Sequence, residues 1–158
     1  MAGATTLADG STLADHLIVS SAGTGGWHEG EPMDPRTAAA LQRAGYPEHP
    51  HVAHQISRAA LAQADLVVAL DRGHQRTLRN RVGDPARLVL LRSFDRSFDR
   101  SVDRSAGAAT GADADVADVA DPYYGGDDGF DDCLETIALG CRGLVTGLAA
   151  LWDGALSL

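Results

Sequence analysis

Asp121-Pro122-Tyr123-Tyr124-Gly125-Gly126 combines the residue types of half an active site. A carboxylate able to exchange a proton stands against a proline, whose ring fixes the backbone. Two aromatic rings lie beside it, and a glycine pair gives the chain a mobile exit. A second concentration of unusual residues is Ser21-Ala22-Gly23-Thr24-Gly25-Gly26-Trp27, whose glycines read as a loop that presents the indole. The two thiols, Cys133 and Cys141, sit in a helical pattern at a spacing that suits packing better than exchange, and they read as buried small apolar residues.

Such side chains need elements to hold them. Leu17-Ile18-Val19, the run 65–70 and the run 87–91 are apolar without alternation, as expected of parallel strands covered on both faces. Helical patterns lie between them, which is the order of strands joined by crossover helices. Asp34 can cap a helix starting at Pro35, with Arg36 to Ala44 as its body and Gly45 as its stop. Ser57 starts a shorter one. A last helix, from about Asp131 to Trp152, places Cys133, Ile137, Leu144, Leu148 and Leu151 on one stripe. Gly140, Gly143 and Gly147 each weaken it by about 1 kcal/mol relative to Ala unless they admit a close contact.

The bulk composition narrows the function classes. A chain of 158 residues with 44% hydrophobic content is one domain, long enough to bury roughly 70% of its unfolded surface. Its net charge of −9, with all 13 cations Arg, disfavours neutralisation of a phosphate backbone, so nucleic acid is not an expected partner. Two cysteines make no disulfide framework and nothing near Met1 reads as a secretory signal, which fits a reducing cytoplasm. The most apolar region, Ile137 to Leu151, is interrupted by Arg142 and falls short of the ~20 residues of a spanning helix, so no membrane association is expected. Oligomeric state is open.

Taken with Pro32-Met33-Asp34, His51-Val52-Ala53-His54-Gln55-Ile56 and Leu91-Arg92-Ser93-Phe94-Asp95, the acid-containing loop and the Ser21 to Trp27 segment resemble the low-molecular-weight protein-tyrosine phosphatases, in the same order along the chain. The resemblance runs from Val19 to Leu148. It implies an α/β three-layer sandwich with a short parallel sheet flanked by helices, and hydrolysis of a phosphate ester through a cysteinyl-phosphate, with no metal or cofactor. Asp121 matches the general acid that protonates the leaving tyrosyl oxygen and then deprotonates water. An Asp ordinarily titrates near ~3.9, so burial and an adjoining phosphate would have to raise it. The resemblance puts Trp27, Tyr123 and Tyr124 on the walls of a cleft, where flat rings favour phosphotyrosine-containing proteins or small aryl phosphates. It makes Ser21 and His51 supports that hydrogen-bond the catalytic loop. Asp71, at a strand end where α/β sites form, either supports that loop or simply caps a helix. Ordinary packing or surface contacts compete with these roles for Trp27 and His51. His54 replaces a common Arg of the family.

The chain also departs from the pattern. The nucleophile loop of the family, a Cys followed six positions later by Arg, is absent: Leu139 stands six after Cys133 and Gly147 six after Cys141. In the family that loop runs into Met-Ala at a helix start, and this chain begins Met1-Ala2. The expectation is therefore a late start, with the first, internal strand and the phosphate-binding loop missing, and a printed chain that is inactive and poorly ordered in its first ~20 residues. A truncated gene or an unrelated N-terminus are the alternatives. Between Met1 and Ser21 there is room for a helix, a turn near Ala14-Asp15 and a strand. Arg92-Ser93-Phe94-Asp95, Arg96-Ser97-Phe98-Asp99 and Arg100-Ser101-Val102-Asp103 form a four-residue tandem repeat that runs into Ala, Gly and Asp, so a disordered insertion is expected at about 99–114 within the single domain 1–158. A non-catalytic, phosphoprotein-binding remnant remains a second reading. An arsenate reductase would need cysteines between the third strand and the acid loop, where none occurs, and the paired tyrosines argue against an arginine phosphatase.

Overall fold

The computed structural model of the chain describes residues 5–47, 49–95 and 118–154. The insertion expected at about 99–114 lies outside the described residues. Two strands, β1 (Val67–Ala69) and β2 (Leu88–Leu90), pair in parallel with Val67 opposite Leu88 and Ala69 opposite Leu90. Helix α3 (Arg72–Arg79) makes the crossover between them. Parallel strands cannot be joined by a tight turn, so this βαβ unit is what two apolar runs separated by a helical pattern produce.

Each helix start is written locally. The Asp34 carboxylate accepts from the Arg36 amide at 2.8 Å and opens α1 (Pro35–Arg43), which ends before Gly45 at φ +77°. The Ser57 hydroxyl accepts from the Ala60 amide and opens α2 (Arg58–Gln63). These caps are the expected ones. The core that α2, α3 and the sheet share is Leu61, Ala69, Leu78, Val82 and Leu88, with Leu61 the most fully buried side chain.

Helix α4 (Asp127–Trp152) starts four residues before the expected Asp131, because Asp128 in its first turn suits the positive helix end. It lies along α1 and along the 3-10 turn Leu91–Phe94. The contact is close enough to require glycine. A Cβ at Gly140 would come within 2.8 Å of the Leu91 side chain and one at Gly143 would overlap the Phe94 carbonyl, whereas one at Gly147 would meet nothing. Of the expected stripe, Cys133, Ile137, Leu144, Leu148 and Leu151 are only half-buried, since the helix rests on a narrow strip. By length and composition alone α4 is long and apolar enough to cross a membrane, a test that the core helix of a globular domain also passes.

Two expectations at the N-terminus change. Among the described residues no α-helix precedes Ser21. Residues 5–13 instead form a small hairpin around Gly10 at φ +87°, with a bridge between Thr6 and Thr12 and with Leu7 and Leu13 buried. A 3-10 turn at Leu13–His16 follows, held by the Asp15 carboxylate, which accepts from the Thr12 amide and hydroxyl. Leu17-Ile18-Val19 is not a strand. It leaves the turn extended, at φ −111° and ψ 133° for Leu17, but no ladder reaches it, and Ile18 and Val19 are 102% and 85% exposed. Strand propensity makes an extended backbone; only a neighbouring strand makes a ladder.

Candidate active site

The loop carrying Asp121 crosses the carboxyl end of β1. The Val119 amide donates to the Leu70 carbonyl at 2.9 Å, and the Asp118 carboxylate accepts from the Arg72 amide at 2.9 Å, at the start of α3. Val119 is buried by this docking. Beyond it the chain turns outward. Asp121 is exposed and its carboxylate accepts from the Tyr123 amide at 3.0 Å, so the side chain braces its own turn around Pro122. The glycine exit is a closed turn rather than a free one, with the Gly125 amide donating to the Pro122 carbonyl at 2.8 Å.

Asp121 and Tyr123 border a cleft of about 270 Å³ between α1 and α4, floored by Leu41, Phe130, Cys133 and Ile137. The lining is mostly apolar and its charges are the carboxylates of Asp34 and Asp121. It suits a flat ring, and the cation beside it is Arg36, whose guanidinium pairs with Asp34 and stands over Phe130. Tyr124, 95% exposed, stands edge-on to Tyr123 with ring centroids 5.0 Å apart. Burial pushes the Cys133 thiol up, and the neighbouring Asp121 charge adds to it; burial alone raises Cys141. An attacking thiol needs the opposite shift; Cys133 lines the cleft, whereas Cys141 is exposed and lies outside its lining.

The Trp27 loop is built on a separate platform. Gly23 exchanges backbone bonds with His54 and Ile56 at 2.9 Å, Gly30 donates to Ala53 at 2.8 Å, and the Gln55 amide side chain donates to the Thr24 carbonyl at 3.0 Å. Residues 24–29 are thereby a tip between two anchors. Trp27 is 86% exposed and lies over Gly25, where any Cβ would overlap the indole. It lies outside the lining of the cleft. Ser21 is exposed and His51 half-buried at the edge of the same platform. Asp71 caps α3, accepting from the His74 amide and pairing with the His74 ring at 2.6 Å. The tie to the acid loop is made by Asp118 instead.

Three positions that sequence reasoning passed over matter here. Asp118 is hidden in an Ala/Asp run. Phe130 closes the cleft floor. Arg36, read only as the second residue of a helix, donates to the Asp34 carboxylate through Nε and Nη2 and to the Tyr123 carbonyl through Nη1 at 3.1 Å. One signal was available: a cation in the first turn of a helix is disfavoured by the macrodipole and asks for a reason.

An α/β domain with a short parallel sheet flanked by helices is the class that this architecture defines. A sequence model described as "Low molecular weight phosphotyrosine protein phosphatase" matches residues 4–152. The chain is 44% identical over 143 residues to a low molecular weight protein-tyrosine-phosphatase of Streptomyces coelicolor, covering 88% of this chain and 78% of that one. It is 42% identical over 132 residues to low molecular weight protein-tyrosine phosphatase A of Mycobacterium tuberculosis, covering 84% and 71% of the two. The fold matches a crystal structure of a protein tyrosine phosphatase from Entamoeba histolytica, with a TM-score of 0.70 at 23% identity, covering 91% of this chain and 81% of that one. The chain belongs to the low molecular weight phosphotyrosine protein phosphatase family.

Proposed function

We propose that these residues carry the proton-donor half of a cytoplasmic phosphatase acting on phosphotyrosine or a small aryl phosphate through a cysteinyl-phosphate. The observation that carries the reading is Asp121 at the rim of an apolar cleft, on a turn fixed by Pro122 and walled by Tyr123. In that mechanism Asp121 gives its proton to the leaving phenolic oxygen as the phosphorus–oxygen bond breaks, then takes one from the water that attacks the cysteinyl-phosphate. The thiolate and the clamping Arg come from outside these 158 residues, because neither Cys133 nor Cys141 is followed six positions on by Arg and both thiols are pushed toward the neutral form. Ser21 and His51 support the segment that supplies them, and Trp27, Tyr123 and Tyr124 are the rings that take the aryl group of the substrate.

The test is hydrolysis of para-nitrophenyl phosphate and a phosphotyrosyl peptide by the 158-residue chain beside a form extended by a Cys-x5-Arg loop. The extended form turns both over. Asp121→Asn then lowers kcat by about 10²–10⁴, more for the tyrosyl ester, whose phenol is the poorer leaving group. Turnover by the unextended chain overturns the account of its missing half, and binding without turnover by the extended form favours a phosphoprotein-binding role.

A further inference from the structure

We propose that Arg36 is a positioning residue for the acid loop, clamping the Tyr123 backbone to the start of α1 and so fixing the turn that carries Asp121. This deepens the reading of Asp121 as the proton donor and rests on it. The guanidinium is occupied on all sides. Nε and Nη2 form a fork on the two Asp34 oxygens at 3.2 and 2.8 Å, and Nη1 reaches the Tyr123 carbonyl at 3.1 Å. Its plane stands over the Phe130 ring, 4.5 Å from the centroid, and 5.4 Å from that of Tyr123.

Asp34 in turn caps α1 through the Arg36 amide at 2.8 Å, so the fork is held by a helix end and not by a free side chain. The loop therefore has two moorings: Asp118 and Val119 on β1 and α3 before Asp121, and Arg36 on α1 after it. Between them Asp121 has one internal bond, to the Tyr123 amide. Holding Tyr123 thus holds Asp121. Lysine cannot substitute, because a point charge on a flexible stem lacks the planar fork that serves a carboxylate and a carbonyl together and the flat face that lies on Phe130.

Amide hydrogen exchange of the 158-residue chain, followed by mass spectrometry in Arg36→Met and Arg36→Lys, tests this. The expected result is exchange faster by an order of magnitude or more at the two hydrogen-bonded loop amides, Tyr123 and Gly125, in both variants, with the β1 and β2 amides unchanged. Alkylation of Cys133 should rise with it as the loop leaves the cleft mouth. The proposal is overturned if the Tyr123 and Gly125 amides keep their rates, or if core and loop quicken together in both variants, as a general structural role would require. Since no turnover is measured, failure of Asp121 as an acid would leave these outcomes intact, and failure of Arg36 would leave the assay of Asp121 intact.

Discussion

Asp121 acts on its surroundings in a way that can be read without substrate. Its charge, after burial, is the second cause that raises the Cys133 thiol. A raised thiol pKa means that the neutral form persists to higher pH, so at neutral pH Cys133 holds less thiolate than a free cysteine and alkylates more slowly. Asp121→Asn removes one cause and leaves the other. The pH profile of iodoacetamide modification of Cys133 should move to lower pH in that variant, while that of Cys141, raised by burial alone, stays in place. An unmoved Cys133 profile would separate the two side chains. Arg36 belongs to the same scale: its partner Tyr123 lies 87 positions away, and no local rule couples such positions.

Among the elements, α4 is where glycine placement matters most. Of the four glycines on this helix, Gly140, Gly143 and Gly147 look alike in the sequence, yet they have opposite values. Gly143 faces the Phe94 carbonyl and Gly140 faces Leu91, while Gly147 faces open space. Gly143→Ala should therefore destabilise by roughly 1–3 kcal/mol through overpacking. Gly147→Ala should stabilise by up to about 1 kcal/mol through helix propensity. The midpoint of urea unfolding reads both, and equal signs for the two variants would refute the packing seen between α4 and the Leu91–Phe94 turn. The caps of α1 and α2 were legible in advance, since Asp34-Pro35 and Ser57 satisfy amides within three residues of themselves. The start of α4 was not, because glycine at 126 supplies no capping side chain to mark it.

For the molecule as a whole, the sheet has two strands and a third apolar run that remains unpaired. Ile18 and Val19 present exposed apolar side chains on a chain of net charge −9. Such a surface invites association between copies, which charge repulsion only partly opposes. Ile18→Thr with Val19→Thr keeps strand propensity and removes the apolar surface. Sedimentation should report less self-association at high concentration in the double variant, with unfolding stability within about 0.5 kcal/mol of the parent. Equal association in the two would place the sticky surface elsewhere, with the half-buried side chains of α4 the next to test.

What the sequence alone determined is what acts over a few residues: the Pro122 turn beside Asp121, the caps of α1 and α2, the apolar runs of β1 and β2, and the family pattern they spell. Tertiary structure decided the rest. It left Leu17-Ile18-Val19 without a ladder, tied the acid loop to α3 through Asp118, and brought Arg36 to Tyr123. Cap and turn energies are summed within one segment, whereas a ladder, a fork on a distant carbonyl or a glycine contact exists only once two segments have been brought together.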